Sequence, residues 1–375
     1  MFDLFDTRKR APGECLISVG DKEITDLYPF LMEVTVETAR ESASEAVLKF
    51  ETRRDIDGSW IVQDDDRIRP WKPLRIDAAF GDETEEVMRG YIREIAVDFP
   101  EDSGGCTVTM TVQDDSLFLD RTHKRRPWGV PNKTTDGFIA TQIIGEANLI
   151  PDGTPATGQQ DLEANQDETD AAFLKKRADA NGFEVIYRRG MVYFGPRRLT
   201  AKAQPNIMVY AGPATNCITF NVADNGHKPD AATYDVAAEE GDTVKSRRIE
   251  PNLDPLGPED ATSVKVLDDG FVWKISREGE SDEGKAEVLA QEKANENSMK
   301  VSATGALDGA RYGHVLLTGL PVGVDGVGSR HAGTWYVDKV RHVFDINGYR
   351  QEFELLRNAY GDNLPAGGGP LDGIR

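Results

Sequence analysis

The chain has 375 residues, 39% hydrophobic and 29% charged, with a formal net charge of -21, which is room for two or three cored domains and excludes a disordered polymer. Duplex-binding surfaces cluster Lys and Arg, so this acid excess argues against a sequence-specific nucleic-acid reader. No apolar run is long enough to span a bilayer, and the opening MFDLFDTRKR lacks the apolar stretch of a signal peptide, so the expectation is maturation in a cytoplasm without a membrane span.

Residues 15–112 are expected to be strands. Residues 31–36 alternate in polarity and lead through a polar turn into 46–51, a hairpin pattern. Residues 60–62 follow the turn signal Asp57-Gly58; then come 74–76, 90–99 and the β-branched run 106–112. Short strands with regular turns predict a small barrel or sandwich over 1–116. Cys15, Cys106 and Cys217 are far apart and odd in number. They form neither a zinc pattern nor a disulfide framework, and each is expected in or beside a strand.

From 117 to 203 the period changes. The dense basic run Arg121-Thr122-His123-Lys124-Arg125-Arg126 is expected to be a solvated loop or a subunit contact. Thr135-Asp136-Gly137 opens a helix carrying Phe138, Ile139, Ile143 and Ile144, ending near Ala147-Asn148. After a Gly/Pro/Thr-rich loop at 151–161, Asp167 or Thr169 caps a second helix with Ala171, Leu174 and Ala178 on one face and Phe173 beside them. Gly182 supplies a left-handed stop, and 185–187 and 191–194 pair around Arg188-Arg189-Gly190. This is a compact α+β insert.

Strands return over 204–358, with 218–222 among the first. The polar stretch 238–265 reads as an extended arm or loop. Ser281-Asp282-Glu283 opens a helix through Ala286, Leu289, Ala290 and Ala294, and strands follow at 314–317, from Trp335 onward, and at 353–356. Residues 359–375 are expected to be a flexible tail.

The two β blocks share a pattern. Gly90 precedes Ile92, Ile95 and Phe99, and a closing strand carries Val108, Met110 and Val112; Gly333 precedes Val337, Val340 and Phe344, and a closing strand carries Phe353 and Leu355. Each hairpin is preceded by a short strand, read at 74–76 and 315–317. The repeat predicts two related β-barrels in one chain, separated by the insert. Three such chains around an axis present six similar units to a sixfold ring.

The segment from Gln166 through Thr169-Asp170, Phe173-Leu174 and Ala180-Asn181-Gly182-Phe183 to the Tyr-bearing hairpin resembles the late control protein D family of tailed phages. So does the ending: Gly333-Thr334-Trp335-Tyr336-Val337, His342-Val343-Phe344, and Phe353 through Asn358. These are baseplate hubs of contractile tails, related to the hub part of type VI secretion spike proteins. The resemblance implies a mainly β fold with an α+β insert: two tail-tube-like β-barrels per chain in a pseudo-sixfold trimer. Its implied partners are a second and third copy of itself, the tail tube hexamer, the spike trimer and other baseplate proteins, in a virion assembled in the host cytoplasm. It matches weakly over 238–280, and no spike is appended.

No enzyme site emerges. Asp64-Asp65-Asp66 lacks the glycine and spacing of a calcium loop. Asp114-Asp115 and Glu239-Glu240 are adjacent carboxylates, which in a strand point to opposite faces. His123, His227, His314, His331 and His342 form no HExxH pattern, and no GxSxG, Walker or dinucleotide fingerprint is present. His342 is expected to be packed or at an interface. The expectation is no catalytic, metal or cofactor residue. The competing reading is a tail-associated cell-wall hydrolase or carbohydrate-binding β protein, whose carboxylates come from distant positions. The hub reading adds a net acidic channel wall and a tail that orders on the spike through Leu371 and Ile374.

Overall fold

The computed structural model describes residues 13–40, 42–101, 105–237, 244–263, 270–275 and 283–364. The first block holds β1 (Gly13–Val19), β2 (Lys22–Glu23), β3 (Leu31–Ala39), β4 (Ser42–Glu51), β5 (Pro73–Phe80), β6 (Glu83–Asp98) and β7 (Thr107–Asp114). The insert holds α1 (Leu117–Asp120), β8 (His123–Trp128), α2 (Asp136–Glu146), β9 (Ile150–Pro151), β10 (Ala164–Thr169), α3 (Asp170–Asp179), β11 (Glu184–Arg188) and β12 (Met191–Gly195). The second block begins with β13 (Gln204–Met208), β14 (Cys217–Asp224), β15 (Ala231–Ala237), β16 (Val244–Ile249), β17 (Glu259–Asp260) and β18 (Val272–Lys274). It continues with α4 (Glu283–Ser298), β19 (Val301–Asp308), α5 (Gly309–Tyr312), β20 (Pro321–Asp325), β21 (Gly333–Asp345), β22 (Gly348–Arg357) and β23 (Ala359–Tyr360).

The strands form where β-branched residues alternate with polar ones. In β7, Val108, Met110 and Val112 are fully buried while the threonines between them face outward. Thirteen strands join in one curled sheet, ordered β14-β19-β22-β21-β3-β4-β7-β6-β5-β1-β2, with β20 on β21 and β13 on β20. One apolar core fills the curl of the first block around Val34, Leu48, Phe50, Ile76 and Met110. A second fills the other block around Val301, Leu307, Trp335, Val340 and Leu355. The mainly β class with an α+β insert holds; the two blocks are half-barrels sharing a sheet, not separately closed barrels.

The insert keeps its own core of Leu119, Ile139, Ile143, Phe173, Leu174 and Phe194. Thr135 and Thr169 cap α2 and α3 by accepting the N–H of Phe138 and Ala172. The β11–β12 hairpin turns through Arg189 and Gly190, at φ +53° and +74°. Of the polar stretch read as an arm, residues 244–249 are β16, paired to β15; β18 joins them, and Tyr234 of β15 packs on Ala286, Ala290 and Ala294 of α4.

Three expectations change. Residues 60–62 are not a strand: Trp60 makes one isolated bridge to Arg54, and the Asp64 carboxylate accepts its N–H at 2.7 Å, tightening the segment into turns. Residues 314–317 are not a strand either. The N–H groups of Val315, Leu316 and Leu317 donate to side chains, those of Glu85, Gln351 and Gln204, at 2.7–2.8 Å, instead of to a ladder. The chain expected to run free from residue 359 is held through 364: β23 pairs β17, the Gly361 N–H donates to Arg330, and Asn363 accepts the Thr334 N–H. Leu371 and Ile374 lie outside the described residues.

Phe353 lies 2% exposed and opposite Gly305, where an added Cβ would sit 2.2 Å from the Thr219 carbonyl oxygen and 2.5 Å from the Phe353 ring. The ring therefore occupies the space that a side chain at 305 would fill. Phe353→Ala leaves a void that no side chain at position 305 can close. A loss of about 4 kcal/mol is expected, in the middle of the range for such truncations, measured by urea unfolding.

Candidate assembly interface

The half-barrels are copies in strand order and register. The first runs β3-β4-β7-β6-β5 in space, the second β14-β19-β22-β21-β20, so in both the chain visits positions one, two, five, four and three. On the β6–β7 and β21–β22 ladders, Ile92 opposes Val112 as Val337 opposes Leu355; one unpaired residue follows, Arg93 or Asp338; and Ile95 opposes Met110 as Val340 opposes Phe353. On β3–β4 and β14–β19, Leu31 opposes Phe50 as Cys217 opposes Leu307, and the next residue, Met32 or Ile218, bulges out. A bulge shifts every later side chain by one place, so two shared bulges fix the equivalence. Pro73 opposes Tyr91 as Pro321 opposes Tyr336, which places the strand equivalent to 74–76 at 322–324, not at 315–317. Even the turn before it repeats: Trp71 and Gly319 both sit at φ +69°, and their N–H groups donate to Ile92 and Val337. The copies differ at the flank, where β1 runs antiparallel to β5 but β13 parallel to β20.

The sheets of the two copies join along one strand pair, and Glu85 and Phe80 of the first block also meet Val315, His314 and Tyr349 of the second. The open edge of β3 pairs antiparallel with the second half of β21, Val34 opposing Phe344 and Ala39 opposing Lys339. The joint buries Val34, Val36, Val340, His342 and Phe344, all at most 6% exposed. On the other face Glu37 reaches Lys339 at 3.3 Å and Arg341 at 3.5 Å. Arg40 closes the end of the joint: its N–H donates to the Asp338 carbonyl, its Nε lies 2.9 Å from the Asp338 carboxylate, and its Nη1 lies 3.0 Å from Glu184. Glu184, on β11 of the insert, is buried and also meets Arg197 and the Tyr336 hydroxyl, so one carboxylate ties the insert to both copies.

Under the joint lies a small cavity of about 20 Å³ with a mixed lining that includes Ser44, Asp114, Arg189 and His342 beside Val87 and Leu316. Burial, reinforced by the Arg189 guanidinium, pushes the His342 imidazole down to about 3. The neutral ring lies 2.8 Å from the Tyr349 hydroxyl. Asp114 accepts the N–H groups of Ser44 and Ser116, and burial raises its carboxyl. Asp115 is raised to about 6, first by burial and then by Asp114.

Other singled-out residues are occupied locally. Asp65 holds Arg67, which also reaches Asp26, and Asp66 pairs with Arg69. The basic run is not a loop: residues 123–128 are β8, and Lys124, Arg125 and Arg126 pair with Glu146, Asp167 and Asp170 of the insert itself. His123, His314 and His331 face Asp167, Glu85 and Asp224. Cys15 and Cys217 lie in β1 and β14, and Cys106 beside β7. Glu239 and Glu240 lie outside the described residues. His342, expected to be packed or at an interface, is packed at the joint between the two blocks. The equivalence of β3 and β14 rests on a spacing that Leu31, Val34, Val36 and Cys217, Phe220, Val222 share.

This bulged half-barrel pair with an α+β insert defines a class, the fold of tailed-phage tail proteins. The chain superposes on the 43 kDa tail protein of prophage MuSo2 from Shewanella oneidensis with a TM-score of 0.70 and 13% identity, covering 92% of this chain and 98% of that one. It superposes on the tail protein from Neisseria meningitidis MC58 with a TM-score of 0.61 and 13% identity, covering 92% and 97%. The E. coli c3393 protein, a type VI secretion component similar to T4 bacteriophage tail proteins gp27 and gp5, gives a TM-score of 0.52 at 9% identity, covering 90% of this chain and 76% of that one. Residues 12–345 match the family model described as Alg8 N-terminal domain, and the chain belongs to that family. No curated protein matches the sequence.

Two outcomes test the joint. His342 has a folded value of about 3, below its ordinary 6.5, so its contribution is complete above pH 6.5 and drains as pH falls toward 3. Asp115 works the other way: held near 6 against an ordinary 3.8, it gains relative stability as pH falls from 6 to 4. His342→Gln should therefore shrink, and Asp115→Asn enlarge, the loss of melting temperature between pH 7 and pH 4. Glu184→Ala removes the carboxylate partner of Arg197 and one partner each of Arg40 and the Tyr336 hydroxyl; about 3 kcal/mol of unfolding free energy should be lost, with Glu184→Gln losing less.

Proposed function

We propose that the chain is the baseplate hub of a contractile phage tail or a phage-like injection machine, of the late control protein D kind. The observation that carries this reading is the internal repeat: one chain supplies two half-barrels of equal strand order, bulge position and register. Three chains then present six equivalent units, which meet a hexameric tube without a symmetry clash and keep threefold symmetry for a central spike. The partners are two further copies, the tube hexamer, the spike trimer and neighbouring baseplate proteins, and the place of action is the virion.

The solvent face of the shared sheet is the channel wall in this reading. It carries Glu33, Glu37, Glu45, Glu94, Asp98, Glu352 and Glu354 against Lys49, Arg93, Lys339, Arg341 and Arg350, with threonines between. A wall with surplus carboxylates repels DNA at short range, within about 8 Å at physiological salt, and lets it slide. The role is structural. The paired histidines and the buried Asp114 are engaged in bonds that hold the fold.

Analytical ultracentrifugation with the spike or tube protein present should give three hub chains per complex, and the purified hub should leave cell-wall turbidity unchanged. A stable complex with two or four hub chains, or clearing of the walls, would overturn the reading.

A further inference from the structure

The joint between β3 and β21 has a counterpart that the single chain leaves unmade. The copy equivalent of β3 is β14, which among the described residues pairs only with β19, leaving its other edge open there. The copy equivalent of the second half of β21 is the second half of β6, which among the described residues pairs with β7 alone once β5 and the Lys72 carbonyl have ended at Ile92. The side chains say the same. Val340 and His342 are buried at the joint, whereas their equivalents Ile95 and Val97 are only half-buried. Phe344 is 6% exposed and its equivalent Phe99 56%. Val34 and Val36 are fully buried, but Phe220 and Val222 are half-exposed.

We infer that the open edge of β14 in one chain pairs antiparallel with residues 94–99 of β6 in a second copy of this chain, in the register of the internal joint. This rests on the hub reading and supplies its contact. Carried across the repeat, Val34 on Phe344 becomes Phe220 on Phe99, Val36 on His342 becomes Val222 on Val97, and Glu37 on Arg341 becomes Ala223 on Ala96. The pairs at Phe220 and Val222 add ladder hydrogen bonds, and the contact covers apolar side chains that are half-exposed or exposed in the single chain. The contact is head-to-tail, so every chain gives one edge and receives one.

The register is testable. The Arg40 N–H donates to the Asp338 carbonyl, so 40/338 is a hydrogen-bonded pair, and three places along, 37/341 is a non-hydrogen-bonded pair with closer side chains. Ala223 and Ala96 inherit that geometry, and both are exposed. Singly substituted Ala96→Cys and Ala223→Cys chains, mixed in assembly conditions and mildly oxidised, should give one disulfide-linked dimer. The doubly substituted chain should give a ladder ending at the closed oligomer. Asp98→Cys with Ala223→Cys, two residues out of register, should cross-link at least tenfold less, and wild type, with Cys15, Cys106 and Cys217, should not respond. Sedimentation separates the two claims. Threefold complexes without the 96–223 disulfide overturn the edge pairing and spare the hub. A 96–223 disulfide in an assembly of another size keeps the pairing and overturns the trimer. Monomers without a cross-link overturn both.

Discussion

The structure depends on one strand edge. If β3 did not pair with β21, the chain would be two half-barrels, each with two exposed ladders and an unfinished core. The joint buries Val34 and Val36 against Val340, His342 and Phe344 and makes one sheet of two. It also brings both copies to one buried carboxylate of the insert, Glu184 between Arg40 and Tyr336. A buried carboxylate of this kind adds little net stability but costs much when half removed, so it fixes geometry more than it strengthens the fold.

The joint also sets where polar groups can be buried. His342 stands where the first copy has Val97, at the same ladder position. An imidazole is tolerated there because Tyr349 reaches it and because it stays neutral. Within each core, equivalent positions have exchanged volume: Leu48 beside Met110 in one copy, Gly305 beside Phe353 in the other. Strand order, bulges and register are kept while the packing differs, so the repeat is carried by the backbone and not by identical core side chains.

What was legible in the sequence was local. The insert's caps, its glycine stop and its hairpin lie within a few residues of the groups they satisfy, so spacing alone placed them. The hairpin repeat was legible because Ile92, Ile95, Phe99 and Val337, Val340, Phe344 are separated by the same bulge. Residues 314–317 misled because their apolar run is satisfied by side chains more than 30 residues away, which periodicity does not report. The β3–β21 pairing spans some 300 residues, and no local pattern points to it. The basic run read as a surface feature because its carboxylate partners come from β10 and two helices that only the fold brings alongside.

Glu37 adds a discrimination to this geometry. It faces Arg341 and Lys339 on the second copy, whereas the first copy offers Ala96 and Glu94 at the same two positions. Were β3 to accept a first-copy edge from another chain, Glu37 would lose two cations and gain a carboxylate beside it. A like-charge neighbour across a ladder is unfavourable. First-to-first stacking is thereby penalised and first-to-second favoured, so the half-barrels are biased to alternate. In the ring proposed above, strictly alternating units would be even in number, and Glu37, Glu94 and Lys339 would favour that alternation.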